Sequence, residues 1–288
     1  MNFGIFNKTK SKNQNKIRNS DIQMLLRLLY GCSVTQRIAQ IKQPRGGYIN
    51  QKMFSRTFLG EGIEELNPEE NINAGLVGIV VDYMTRFMLG TKPEDAFEIS
   101  ILGASKINET KKAKRLLKKV KGLDDQSIIS AVKLSGFDVC FRAGVIRYKP
   151  IEDINPDKQT IENIRTMIKR SLSFFEQYGP KVLDGFTFEG GYTTTVSYGD
   201  GDFTTEDTLW DFKVTKLHIK KEHTLQVFMY WRMGLRSIHP EFKSIKYLGI
   251  YNPRLNCVYR LEVADIPEKI IREIEYEVIG YDREVCKI

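Results

Sequence analysis

The sequence predicts an α/β fold, and three observations carry that prediction. Helical periodicity runs from residue 19 to residue 178, strand-rich composition takes over from Gly185, and one further helix interrupts the strands at Thr224 to Leu235. Of the 288 residues, 41% are hydrophobic and 11% aromatic, enough for a packed core and too many for a disordered chain. That length allows one large domain, or a core carrying an insertion.

Taken in order, residues 1 to 20 are basic and polar with no apolar stretch. They read as a flexible arm able to touch nucleic acid, and not as a secretory signal. A helix is expected within residues 19 to 42, capped near Ser20 or Asp21 and stopped by Gly31. The loop Gln43-Pro44-Arg45-Gly46-Gly47-Tyr48 reads as a plain turn more readily than as a phosphate-approaching one. Asn71 to Leu89 is apolar almost all round, which predicts a buried helix capped by Asn71 or Asn73 and ended by Gly90 and Pro93. Asp82 within it must be paired or metal-bound, since burying a lone carboxylate is costly; Arg86 is available at i,i+4.

Residues 93 to 148 are expected to be mostly helical. Asn108 to Gly122 carries a dense lysine cluster above a narrow stripe of Leu116, Leu117 and Val120, either a phosphate-following face or a solvated one. Residues 153 to 160 form a polar hinge, and Ile161 to Tyr178 a long amphipathic helix ending at Gly179-Pro180. Past Gly185 the Thr, Val, Tyr and Phe content predicts strands, with KYLGIYN and VYRLEVADI paired through Asn252-Pro253-Arg254. Residues 266 to 280 read as a closing amphipathic helix.

Composition narrows the function classes. A formal charge of +8, with a pI near 9.1, suits a polyanionic partner and equally an ordinary soluble surface. Cys32, Cys140, Cys257 and Cys286 lie far apart with no CxxC pairing, and His218, His223 and His239 make no zinc spacing, so reduced thiols in a cytoplasmic protein are expected. No apolar run approaches the roughly 18 residues of a bilayer span, so no membrane partner is expected.

The chemistry concentrates between Gly199 and Tyr230. Asp211 and Lys213 share one strand face, and the turn-like Thr204-Thr205-Glu206-Asp207 folds Asp202 back towards them. Two carboxylates and an ammonium on one sheet face suit a divalent cation and an attacking water. The chain holds three acid-x-Lys triplets; Asp211-Phe212-Lys213 alone has a strand context and an aspartate one hairpin upstream, whereas Glu109-Thr110-Lys111 and Glu241-Phe242-Lys243 do not. The competing structural account is an Asp211–Lys213 pair on a solvated sheet face.

With Gly78-x-x-x-Asp82, Gly201-Asp202, Asp211-Phe212-Lys213 and Gln226-x-x-x-Tyr230 in that order, the chain resembles the PD-(D/E)XK nuclease superfamily, in its RecB-like branch. The resemblance covers residues 75 to 90 and 185 to 260, and departs from the branch in carrying Asp82 where it usually has His. It implies a restriction-endonuclease-like mixed sheet flanked by helices, with a core of 61–90 plus 161–288, a helical insertion over 91–160, and an arm and helix over 1–60. It also implies a nuclease cleaving DNA with Mg²⁺ or Mn²⁺. Asp82, Asp202, Asp211 and the Phe212 carbonyl would be ligands, Lys213 would act on the water or the transition state, and Gln226 and Tyr230 would position substrate. Glu189 is a spare ligand candidate, and Lys216, Lys220, Lys221 and Arg232 are candidate phosphate contacts. Phage defence or foreign-DNA processing is the implied setting. A catalytically inactive nucleic-acid-binding module and a subunit of a larger defence complex are the alternatives, and a homodimer would suit double-strand cutting.

Overall fold

A computed structural model describes residues 31–60 and 65–282, so the arm and the helix expected near Ser20 lie outside the described residues. The first elements are a short strand β1 (Cys32–Ser33) and helix α1 (Val34–Gln40), where Ser33 and Gln36 form a reciprocal capping box. The Gln43 to Tyr48 loop is a turn closed by Gly47 N–H to Pro44 O at 2.9 Å, with Gly46 and Gly47 both at positive φ. Strand β2 (Ser55–Phe58) follows.

Helix α2 (Ala74–Met88) starts at Asn73, whose side chain accepts from Gly75 N–H at 2.9 Å, and stops before Gly90 in the left-handed region. Five helices make a helical unit after it: α3 (Pro93–Ala96), α4 (Glu98–Ser105), α5 (Thr110–Leu117), α6 (Asp125–Ser135) and α7 (Asp138–Arg142). The long helix α8 (Lys158–Tyr178) is capped by Asp157, which accepts from Thr160 N–H, so it begins inside the stretch read as a hinge. Strands β3 (Leu183–Thr187), β4 (Val196–Tyr198), β5 (Asp200–Thr204) and β6 (Thr208–Phe212) come next, then helix α9 (Lys221–Gly234). The hairpin β7 (Tyr247–Asn252) and β8 (Cys257–Glu262) and helix α10 (Glu268–Glu273), running into a π-helical turn at Ile274–Ile279, complete the described chain.

Six strands make one mixed sheet in the order β2-β8-β7-β6-β5-β3, with β6 and β7 parallel and all other neighbours antiparallel; β1 and β4 pair separately. One sheet face packs on α9 through Leu209, Leu225, Phe228, Leu248 and Ile250. The other packs on the second half of α8, where Phe174 meets Trp210 at 4.7 Å and Tyr251 at 4.3 Å between ring centroids. The sheet is therefore buried on both sides, which explains why all five residues of β6, Asp211 included, are buried.

Two boundaries differ from the expectation. β2 hydrogen-bonds to β8 as an edge strand, so residues 31–60 contribute to the sheet and do not stand apart from it. The helices of 91–160 share one apolar core with α2 and the first half of α8, including Val77, Val81, Met84, Ile164 and Met167. α2 thus belongs by packing to the helical unit, and its polar face is left to look towards the sheet.

Candidate active site

β5 and β6 form a tight hairpin closed by Thr205 N–H to Thr208 O at 2.9 Å, with Phe203 opposite Trp210. One step further along these strands come Asp202 and Asp211. Phe212 and Trp210 point into the aromatic core under α8, so Asp211 between them points to the opposite face. Gly201 makes this register possible: a Cβ there would lie 2.4 Å from the Phe186 ring on β3. Gly78 carries no such constraint, because a Cβ at that position would meet Val214 at an ordinary 3.6 Å.

A cavity of about 600 Å³ opens beside the ends of β5 and β6, and Asp82, Asp202, Asp211, Phe212, Lys213, Gln226 and Tyr230 all line it. They come from α2, the β5–β6 hairpin with Lys213 just past its end, and α9, so three parts of the chain converge on one space. Among the described residues no three His, Cys, Asp or Glu side chains already stand as a ready ligand set.

Each carboxylate is held differently. Asp82 Oδ1 pairs with Arg86 Nε at 3.0 Å one turn later on α2, which is the i,i+4 pair the sequence offers. Asp202 Oδ2 accepts the Phe212 backbone N–H at 2.6 Å, clamping the two strands together. Asp211 is only 1% exposed, which removes the reading of a solvated sheet face. Its Oδ2 lies 2.6 Å from Lys213 Nζ, a charge-assisted contact inside the site. Lys213 is fixed from behind by its own N–H donating to Tyr251 O at 2.9 Å.

The carboxylates feel one another. Burial pushes Asp211 up to about 7, opposed by Lys213 and reinforced by Asp202 and Asp82. Burial likewise pushes Asp82 up to about 6, with Arg86 opposing and Asp202 adding. Burial and the neighbouring Lys213 take His223, in the first turn of α9, down to about 4. Gln226 Nε2 donates to Tyr230 Oη at 2.8 Å, and the Tyr230 ring stacks on Phe188 at 5.0 Å, so α9 presents a fixed amide and phenol to the cavity.

The same cavity gathers residues that no sequence signal marked. Arg142, at the end of α7, stands 42% exposed at the mouth, with Nη1 3.8 Å from Asp200 Oδ2 and Nε 3.5 Å from Asp138 Oδ2. Asp138 is buried and accepts from Tyr83 Oη at 2.6 Å and Ser100 Oγ at 2.5 Å, so a polar network inside the helical unit aims Arg142 at the site. Phe141, Tyr198, Ser33 and Gln36 complete the rim. The Gly-Asp-Gly-Asp spacing makes Asp200 visible as an acid in sequence; nothing about Arg142 is.

The candidate phosphate contacts are not brought to the cavity. Lys216 Nζ donates to Pro68 O at 2.9 Å, and Lys220 and Lys221 sit at the start of α9. Arg232 Nε lies 2.6 Å from the buried carboxylate of Glu275, and its guanidinium rests 4.7 Å from the Trp231 ring centroid. With Arg236 Nη1 at 2.9 Å on the same oxygen, Arg232 neutralises a carboxylate that is only 2% exposed, and it is not among the residues that line the cavity. Glu189 is exposed, accepts from the Thr187 hydroxyl and does not line the cavity. No protein-family model, curated protein or solved structure matches the chain.

Proposed function

We propose that this chain is a metal-dependent nuclease hydrolysing DNA phosphodiester bonds on a RecB-like, restriction-endonuclease-like core. The observation that carries the reading is the convergence of Asp82, Asp202, Asp211, Lys213, Gln226 and Tyr230 on one cavity. The chain order supports it: after α8 the main sheet takes β3, β5 and β6 in turn, then α9 and β7, with β4 between β3 and β5 pairing outside that sheet; Asp202 lies on β5, Asp211 on β6 and the Gln226/Tyr230 helix after them. Placement in defence against foreign DNA rests on the resemblance alone.

The residues fit a hard divalent cation such as Mg²⁺ or Mn²⁺. The available donors are oxygens, and the buried Asp211 carboxylate is matched by no charge partner beyond Lys213, with Asp202 and Asp82 adding negative charge around it. Asp202 and Asp211 would hold the ion with the Phe212 carbonyl, while Asp82, whose Oδ1 is paired with Arg86, would join through its other oxygen. When bound, the cation would activate water and neutralise charge on the scissile phosphate. The chain supplies the rest. Lys213 offers a positive charge fixed at the cavity wall, where burial strengthens its hold on a charge-rich transition state. Gln226 and Tyr230 offer donors for positioning, and Arg142 at the mouth can take a phosphate oxygen. Since Asp211 holds its proton up to about pH 7, a cation must displace that proton, and binding should strengthen with pH.

The test is cleavage of supercoiled, linear and single-stranded DNA with Mg²⁺, Mn²⁺ or EDTA, comparing wild type with Lys213→Ala. Metal-dependent cleavage that disappears in the variant is the expected result. No cleavage by the wild type, or cleavage unchanged by Lys213→Ala, would sink the assignment and leave a DNA-binding module without activity as the reading to pursue.

A further inference from the structure

We propose that the outward face of α5 and the turn after it is a docking surface for the phosphate backbone of the DNA, outside the cavity. The choice of occupant rests on the nuclease reading; the surface itself rests on charge and burial. Between Asn108 and Gly122 stand seven Lys or Arg against the single acid Glu109, a net +6 of the chain's +8. The first 20 residues hold five more basic residues and no acid, which leaves the remainder of the chain at net −3. The cavity wall follows suit, with Asp82, Asp200, Asp202 and Asp211 set against Arg86, Arg142 and Lys213. Net charge outside these two segments therefore does not favour a polyanion, and the chain's excess of positive charge is concentrated in them.

Packing turns the cluster into a one-sided surface. Ala113, Leu117 and Val120 are buried in the helical core, which fixes which side of α5 faces out. Lys112 is tied to Glu109 and Glu152. The exposed Lys111, Lys114, Arg115, Lys118, Lys119 and Lys121 have no ion-pair partner among the described residues. An ordinary solvated helix face mixes signs, because like charges three and four apart repel and weaken the helix. A face of one sign, held rigid by an apolar stripe, meets its complement in a phosphate backbone. α5 packs on α4 and α6, and α4 packs on α7, which carries Phe141 and Arg142 to the cavity rim. One rigid helical unit thus presents both the rim arginine and the basic face. This places the expected backbone grip on α5 in addition to the candidates after β6, of which Arg232 is already paired with Glu275.

The experiment measures binding of a labelled duplex of about 30 base pairs to the full chain in EDTA, between about 50 and 200 mM salt. Wild type is compared with a Lys114→Gln/Arg115→Gln/Lys118→Gln variant and with a charge-keeping Lys114→Arg/Lys118→Arg variant. Each lost phosphate contact should flatten the slope of log affinity against log salt by about 0.9, so the neutral variant should lose about 2 to 3 while the arginine variant keeps the wild-type slope. Cleavage of an oligonucleotide short enough to occupy only the cavity should proceed at the wild-type rate in both. An unchanged slope in the neutral variant would overturn the proposal, as would tighter binding of RNA than of DNA of equal length. Loss of short-substrate cleavage in the neutral variant would also overturn it, since the effect would then act through the cavity. If no DNA is cleaved at all, the nuclease reading fails while the slope still reports on this face.

Discussion

Replacing Asp211 with Asn should make the metal-free protein more stable at pH 8 while abolishing cleavage. Asp211 is 1% exposed, and burial moves its carboxyl from an ordinary 3.8 to about 7. At about 1.4 kcal/mol per pKa unit, holding the group ionised in the folded state costs about 4 kcal/mol relative to the unfolded chain. The sign follows from the direction. A carboxyl whose folded pKa is raised carries no penalty below about pH 4, where both states are protonated, and the full penalty above about pH 7. Stability of the metal-free wild type should accordingly fall as pH rises through that window. Asn keeps the shape and removes the charge, but leaves Lys213 with only Asp202 and Asp82 as neighbouring acids, returning about 1 to 2 kcal/mol. The net expectation is a gain of about 2 kcal/mol at pH 8, a rise in melting temperature of several degrees for a chain of this size, on the order of 2 to 4 °C per kcal/mol. Thermal unfolding followed by circular dichroism in EDTA at pH 8 and near pH 4.5 measures it, and the gap should close at the lower pH. Mn²⁺ should raise the wild-type midpoint and leave that of Asp211→Asn unmoved. A variant less stable than wild type at pH 8, or a gap independent of pH, would refute the account of Asp211 as a strained carboxylate awaiting a cation.

Two further substitutions separate structural from site residues. Arg232→Ala should lower stability by about 2 to 4 kcal/mol in urea unfolding, because Glu275 keeps only the Arg236 contact at 2.9 Å, while the folded variant binds DNA as wild type does. Weakened DNA binding with unchanged stability would restore Arg232 to the substrate surface. Gly201→Ala should cost about 1 to 3 kcal/mol by driving a methyl into the Phe186 ring, whereas Gly78→Ala in α2 should be neutral or gain up to about 1 kcal/mol from helix propensity. Equal behaviour of the two variants in a melting comparison would contradict the contact geometry at both glycines.

The sequence by itself determined what depends on neighbours along the chain. Helices α2, α8 and α9 follow from periodicity and caps. The β5–β6 hairpin follows from strand composition around a short turn, and hairpin register is local, so Asp202 was legible as the partner of Asp211. The i,i+4 and i,i+3 spacings likewise made the Asp82–Arg86 and Gln226–Tyr230 pairs legible. Tertiary structure alone decided the strand order, the burial that turns Asp211 from a surface acid into a strained one, and the recruitment of residues 31–60 into the sheet. It also decided which basic residues are free to act. Arg232 and Arg142 look alike in sequence and each lies beside a buried carboxylate, but the Arg232 side chain is 12% exposed against Glu275, whereas that of Arg142 is 42% exposed beside Asp138 and is carried by the helical unit to the rim of a cavity. What a charge can do depends on how much of it the packing leaves open and on which space it opens into, and no spacing along the chain encodes that.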